Sequence, residues 1–307
     1  MSRIAFLFPG QGSQAVGMGK SLFDRSDMAR SIFGLADEVL GYPLSKLCFE
    51  GPEEELKLTQ NTQPALLTVS TIAHRLLERT PVVAAGHSLG EYSALVAAGA
   101  LRFEDAVLLV HKRGRYMQEA VPVGEGAMAA VLGASHDDLL KALGQVGNGV
   151  AQIANWNSPD QIVIAGHKTA VEEALRIAKP PRSVMLPVSA PFHSSLMKPA
   201  EERLAVDLDQ TEFRDPAYPI VTNVDARMIT TAEDARDALK RQVSRPVLWY
   251  ESMELLGSAG IDVFVELGSG KVLTGLIKRI GRGWARPFTM ANVEDAESLE
   301  KTRSSLA

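Results

Sequence analysis

The order of elements predicts an α/β protein in which a mostly parallel, helix-covered sheet is interrupted by a small inserted subdomain. Two observations carry this. Short apolar runs at residues 4–8, 82–85 and 263–267 each stop at a glycine-rich turn, and helical patterns separate them, which is the alternation that a parallel sheet requires. Between them, residues 128–188 change texture to four short strand-like runs framing two helices.

Taken in order, residues 4–8 read as a buried strand entering the loop Pro9-Gly10-Gln11-Gly12-Ser13. Apolar residues recur at helical spacing over 31–40 and 64–79. The strand at 82–85 runs into Gly86-His87-Ser88-Leu89-Gly90 and then into a helical pattern from Glu91. A further helix carries Ala106, Val110, Arg113 and Met117 on roughly one face, with Lys112 and Arg115 turned outward. Strands at 128–132, 150–154, 161–165 and 183–188, with helices near 136–143 and 168–178, give the strand-helix-strand-strand-helix-strand order of a ferredoxin-like unit. The larger pattern resumes with a strand at 220–223, a helix over 232–243 and the strand at 263–267. Gly268-Ser-Gly-Lys271 follows; it lacks the spacing of a phosphate-binding loop and reads as a turn into another helix. The last dozen residues, rich in Glu, Ser and Lys, read as a solvated tail. The expected division is a large subdomain of 1–124 and 191–307 and a small one of 125–190.

Composition narrows the function. At 307 residues, 46% hydrophobic and 22% charged, the chain has material for a substantial core. A net charge of -5 carries no signature of nucleic-acid binding, so an anionic partner must meet a local basic patch. The single cysteine, Cys48, excludes an internal disulfide framework and a multi-thiolate metal site, and no metal is expected. No stretch has the length of a membrane span or the form of a signal peptide, so the expected address is cytoplasmic.

The chemistry concentrates at Gly86-His-Ser-Leu-Gly. A Gly-x-Ser-x-Gly turn between strand and helix thrusts the Ser88 hydroxyl outward and brings helix N-terminal N–H groups to a developing oxyanion. The alternative is a plain turn with Ser88 as N-cap. A serine nucleophile needs a base, and six histidines compete for that role. His74 and His111 fall in helices, His136 and His167 near helix starts, and His87 is expected on the opposite side of the turn from Ser88. His193, in the loop Ser189-Ala-Pro-Phe-His-Ser-Ser-Leu-Met, can be aimed into a cleft and is the candidate base, a structural histidine being the alternative.

Five separated motifs then amount to a resemblance. Phe8-Pro-Gly-Gln-Gly-Ser-Gln, Gly86-His-Ser-Leu-Gly-Glu-Tyr-Ser-Ala, Lys112-Arg-Gly-Arg-Tyr-Met-Gln-Glu-Ala, Asn155-Trp-Asn-Ser-Pro and Pro191-Phe-His-Ser-Ser-Leu-Met occur in order over nearly the whole chain. Together they resemble the malonyl-CoA:acyl-carrier-protein transacylases of bacterial fatty-acid synthesis. The resemblance implies a hydrolase-like core with a ferredoxin-like subdomain, and ping-pong transfer of malonyl from coenzyme A to the phosphopantetheine thiol of holo acyl carrier protein through a malonyl-serine. It implies Ser88 as nucleophile, His193 as base, the Gln11 and Leu89 N–H groups as oxyanion hole, and the Gln242 backbone carbonyl orienting the histidine, a residue that by itself reads as polar on a helix. It makes Arg113 the binder of the free malonyl carboxylate, where spacing alone also allows a surface arginine. Phe192 and Leu89 look like the malonyl-selecting members, and Asn155 and Asn157 match acyl-site asparagines that also read as turn formers before Ser158-Pro159. Lys271, Lys278, Arg279 and Arg282 form a basic cluster proposed to dock the acidic carrier. No permanently bound cofactor is expected; the partners are the carrier protein and the coenzyme A thioester, with neither nucleic acid nor membrane. The rival readings are a serine thioesterase or esterase, a trans-acting acyltransferase of a polyketide pathway, and an inert loading module.

Overall fold

The computed structural model describes residues 2–188 and 190–306, so Ser189 of the expected base loop lies outside the described residues. In chain order the elements are β1 (Ile4–Phe8), α1 (Lys20–Arg25), α2 (Asp27–Leu40), α3 (Leu44–Glu50), α4 (Glu53–Leu56), α5 (Thr59–Leu77), β2 (Val83–Gly86), α6 (Leu89–Ala97) and α7 (Phe103–Glu119). There follow β3 (Gly126–Leu132), α8 (His136–Leu143), β4 (Ala151–Ser158), β5 (Gln161–His167), α9 (Lys168–Ala178) and β6 (Arg182–Met185). The chain closes with α10 (Lys198–Gln210), β7 (Ile220–Val221), β8 (Met228–Ile229), α11 (Ala232–Gln242), α12 (Trp249–Ser258), β9 (Val263–Leu267), α13 (Val272–Ile280), β10 (Thr289–Val293) and α14 (Ala296–Ser305).

Two sheets result. The first has the order β10-β9-β1-β2-β7-β8, parallel except at β8. Its central strands are covered on both faces, which is why they read as continuous apolar runs rather than alternating ones. Along β1, Phe6 and Phe8 enter one core with α5, α6 and α7, while Ala5 and Leu7 enter another with Trp249, Met253 and Ile277. The register Phe8↔Gly86 ends β1 and β2 side by side, so the two glycine-rich turns emerge together.

The second sheet, β4-β5-β3-β6, is antiparallel throughout. Ala129, Val131, Ile153 and Ile164 pack against Leu139 of α8 and Val171 and Ala174 of α9. The alternate residues Met128, Ala130, Val163 and Ala165 join the large core, so this sheet presents one face to the first unit. Backbone bonds tie the two together: Trp156 N–H donates to Val247 O at 2.9 Å and Val247 N–H to Ala154 O at 2.8 Å.

Several expectations are corrected. The expected C-terminal tail is α14, capped by a reciprocal Asp295–Ser298 box and seated through Ala296, Leu299 and Thr302; three residues at helical spacing suffice to bury a face in an otherwise polar segment. The helix expected from residue 64 begins at Thr59 and carries Pro64 inside it. Proline has no N–H to give the carbonyl four residues back, Gln60 O, and His111 Nδ1 takes that acceptor at 2.9 Å. The strand expected over 183–188 ends at Met185, and the one over 220–223 ends at Val221; both give up their last residues to the site. Asn155 and Asn157 lie on β4, not in a turn.

Candidate active site

Ser88 sits between β2 and α6 with φ +51°, a left-handed conformation that a non-glycine residue keeps only when its surroundings enforce it. Here they do. Asn223, just past β7, accepts from Ser88 N–H through Oδ1 and donates through Nδ2 to Gly86 O, both at 2.6 Å. Gly90 lies against Phe8 O and Gly10 against His87 O, closer than any Cβ would allow, so the loop after β1 is pressed onto the serine turn. This brings Gln11 and Leu89 to one cavity with Ser88. Leu89 opens α6, where an N–H has no carbonyl within its own helix.

His193 Nε2 is 2.7 Å from Ser88 Oγ and Nδ1 is 2.9 Å from Gln242 O. A carbonyl only accepts, so Nδ1 carries the proton and Nε2 presents its lone pair to the serine hydroxyl. Burial first, and the neighbouring Arg113 charge second, push the His193 pKa down to about 3, which keeps the ring neutral and able to act as a base. Like Ser88, His193 has positive φ, +58°.

Arg113 is buried to 1% exposure. One terminal nitrogen donates to Gln63 Oε1 at 2.8 Å; the other donates to Ser88 Oγ at 3.0 Å and to Gln242 Oε1 at 2.8 Å. No carboxylate bonds it among the described residues, so it is a desolvated cation beside Ser88 with only neutral acceptors. Gly114 makes this possible, since its missing side chain lets α7 touch Thr59 and Gln60 at the start of α5, which carries Gln63.

The cavity encloses about 140 Å³ and is completed by Met117, Met128, Asn155, Leu186, Val188 and Phe192. It shares Gln11, His87, Asn155 and Leu186 with an adjoining hollow of about 280 Å³ that reaches Asn157, Gln161 and the first turns of α13. A larger open hollow of about 580 Å³ beside Tyr42 and His111 holds none of these groups.

The geometry therefore brings together Ser88, His193, Gln11, Leu89, Gln242, Arg113, Asn155 and Phe192. His87 is a correction: it lines both hollows rather than the far side of the turn, held by Asn157 Oδ1 at 2.8 Å from its Nε2. The basic cluster is divided, because Lys271 stands at the start of α13 paired with Glu294 while Lys278 and Arg279 are exposed in its last turn and Arg282 just beyond it. Reading the sequence missed Gln63, Glu91 and Asn223. Glu91 stood within a quoted motif, but nothing local marks a carboxylate as buried; Gln63 and Asn223 had no signal. Among the described residues there is no group of three His, Cys, Asp or Glu that could hold a metal ion, and no helix is long and apolar enough to cross a membrane.

Comparison with known proteins agrees over the whole length. Residues 5–303 match the acyl transferase domain family. The malonyl CoA-acyl carrier protein transacylase of Bacillus subtilis (strain 168) is 50% identical over 309 residues, covering 98% of this chain and 96% of that protein. The solved structure of the malonyl CoA-acyl carrier protein transacylase of Coxiella burnetii superposes with a TM-score of 0.95 at 43% identity, covering 99% and 98% of the two chains. A malonyl-transacylase solved in complex with a type II PKS acyl-carrier protein gives 0.95 at 44% identity, covering 99% and 100%. The chain belongs to the acyl transferase domain family and, within it, to the malonyl CoA-acyl carrier protein transacylases.

Proposed function

We propose that the protein transfers the malonyl group of malonyl-CoA to the phosphopantetheine thiol of acyl carrier protein in a ping-pong reaction through a malonyl-serine. Ser88 Oγ attacks the thioester carbonyl as His193 Nε2 takes its proton. The resulting oxyanion is held by the Gln11 and Leu89 N–H groups, preorganised donors that do not move as charge develops. The carbon–sulfur bond then breaks and His193 returns the proton to the departing coenzyme A thiolate. In the second half the carrier thiol gives its proton to His193 and attacks the ester carbonyl. The carbon–oxygen bond breaks and Ser88 recovers its proton.

The observation that carries this reading is a buried guanidinium 3.0 Å from the Oγ of a serine that is itself 2.7 Å from a histidine nitrogen. A hydrolase needs the serine and the histidine. The cation adds a partner for a free carboxylate one methylene away from the carbonyl under attack, which is what distinguishes malonyl from acetyl. Phe192 and Leu89 narrow the cavity against a methyl branch on that methylene, and Asn155 lines the acyl side, while Asn157 lies in the adjoining hollow and holds His87. The adjoining hollow offers a route for the long arm of either thioester.

We assign residues 1–124 and 191–307 to a hydrolase-like large subdomain and 125–190 to a ferredoxin-like small one; the strand order β4-β5-β3-β6 supports the latter. The carrier docks on Lys278, Arg279 and Arg282, which are exposed, with Lys271 at the near end of the same helix. Both substrates are compounds of the cytoplasm, and the protein serves fatty-acid synthesis there.

Intact-mass analysis after mixing with malonyl-CoA, with and without holo acyl carrier protein, tests the reading. The wild type should gain one malonyl group, surrender it to the carrier and lose this ability entirely as Ser88→Ala. Release of free malonate would make the protein a thioesterase, and an adduct on Ser88→Ala would remove the nucleophile assignment.

A further inference from the structure

Behind the nucleophile, on the first turn of α6, lies Glu91, a carboxylate with 1% exposure. Its Oε2 accepts two hydrogen bonds, from Asn223 N–H at 3.0 Å and from Gln242 Nε2 at 2.8 Å. Each donor belongs to a residue that touches the reacting groups. Asn223 holds the strained Ser88 backbone on both sides. Gln242 touches all three others: its Nε2 also donates to Ser88 O at 3.0 Å, its Oε1 accepts from Arg113 at 2.8 Å, and its backbone carbonyl orients His193.

An amide side chain can sit either way round, and the two orientations do opposite things to Arg113. With Oε1 toward the guanidinium it accepts; reversed, it would press two N–H groups against a cation that can only donate. The acceptor oxygen of Glu91 permits one orientation only, with Nε2 toward Glu91 and hence Oε1 toward Arg113. From this geometry we infer that Glu91 is a positioning residue for acyl-group selection, locking the Gln242 amide so that Arg113 is held ready for the malonyl carboxylate. The inference rests on the reading that Arg113 binds that carboxylate. Burial pushes the Glu91 pKa up to about 7, while its two hydrogen bonds and Arg113 oppose the rise and Asp225 adds to it; a proton taken up there goes to Oε1, because Oε2 already faces two N–H donors, so Oε2 stays an acceptor. Arg113 and Asp225, together with Tyr92, are the titratable groups coupled to it.

The test is the ratio of kcat/KM for malonyl-CoA to that for acetyl-CoA, which lacks the distal carboxylate. Glu91→Met removes both acceptor bonds and should lower the ratio roughly tenfold or more. Glu91→Gln keeps an acceptor oxygen where the Asn223 N–H demands one and should restore the ratio to within about twofold of wild type. Should Glu91→Met not fold, Gln242→Met decides, since it keeps the backbone carbonyl that His193 needs and deletes only the amide; it should show the same selective loss. A role in packing alone would depress both thioesters equally, and an unchanged ratio in Gln242→Met would overturn the inference outright. Arg113→Ala separates the two levels: if it leaves the ratio intact, the carboxylate reading itself fails, and if it collapses the ratio while Gln242→Met does not, only the role of Glu91 fails.

Discussion

Substituting alanine for Gly90 perturbs the site without touching any reacting group. A Cβ at Gly90 would lie 2.0 Å from Phe8 O and 2.7 Å from Phe8 C. Ordinary non-bonded contacts begin near 3.5 Å, so the serine turn and the end of β1 must separate by more than about 1 Å. Phe8 cannot retreat easily, being fully buried and in register with Gly86. Nor is the cost a matter of backbone conformation, because Gly90 does not have positive φ. The separation spreads the two loops that carry Gln11 and Leu89, and displacing one oxyanion donor by that distance costs on the order of a hundredfold in rate. Strain in the packed core adds roughly 1–3 kcal/mol of lost stability. Rapid-quench measurement of malonyl-enzyme formation, with thermal denaturation alongside, should show both losses for Gly90→Ala. Gly34→Ala is the control: no atom lies within 4 Å of its added methyl, and it sits within α2, where alanine is the better helix former. If Gly90→Ala acylates at the wild-type rate while remaining folded, the contact between β1 and the serine turn does not set the oxyanion site.

The histidine makes a prediction about pH. Because the folded His193 pKa is lowered to about 3 from an ordinary 6.5, the base stays neutral as pH falls through 6.5, and single-turnover acylation followed from about pH 8 to about pH 5 should show no loss centred near 6.5. The same shift gives a sign for stability: the unfolded ring takes up a proton below 6.5 and the folded one does not, so His193 costs stability progressively between pH 6.5 and 3. Because Glu91 titrates near 7 beside Arg113, the deciding profile is that of Glu91→Gln, and an acylation midpoint at 6.5 that persists there would mean that the ring is exposed and the buried pair wrongly drawn. Reversing Lys278, Arg279 and Arg282 to glutamate should raise the KM for carrier protein in a salt-dependent way and leave the KM for malonyl-CoA in the first half-reaction unchanged. Equal KM for the carrier in the variant would place docking elsewhere.

Much of the site was legible because its chemistry is local. The turn at Ser88 needs small residues next to it, a strand before it and a helix after it, and all three are contiguous in the chain. The helices expected near 136–143 and 168–178 form over those residues, the first opened by a Ser135 cap and both marked by apolar residues at helical spacing. What failed to show were features set by partners far away. His87 was expected to face away from Ser88, but its direction is decided by Asn157, 70 residues on. The C-terminal helix looked solvated because three buried positions among polar ones mean little until a groove exists to receive them.

The amino-acid sequence by itself determined the α/β fold class and offered the candidate nucleophile and base, and it carried the motifs that mark the family. The tertiary structure decided which charged groups are out of water and what faces them. Arg113 reads in sequence as one of several cations on a helix; only packing against α5 and α11 removes its solvent and sets it against Ser88. Glu91 reads as an ordinary first-turn acid and becomes, once buried, the acceptor for Gln242 and Asn223, residues 151 and 132 positions away. Burial and long-range hydrogen bonding depend on where separate segments meet, and no local pattern in the chain records that.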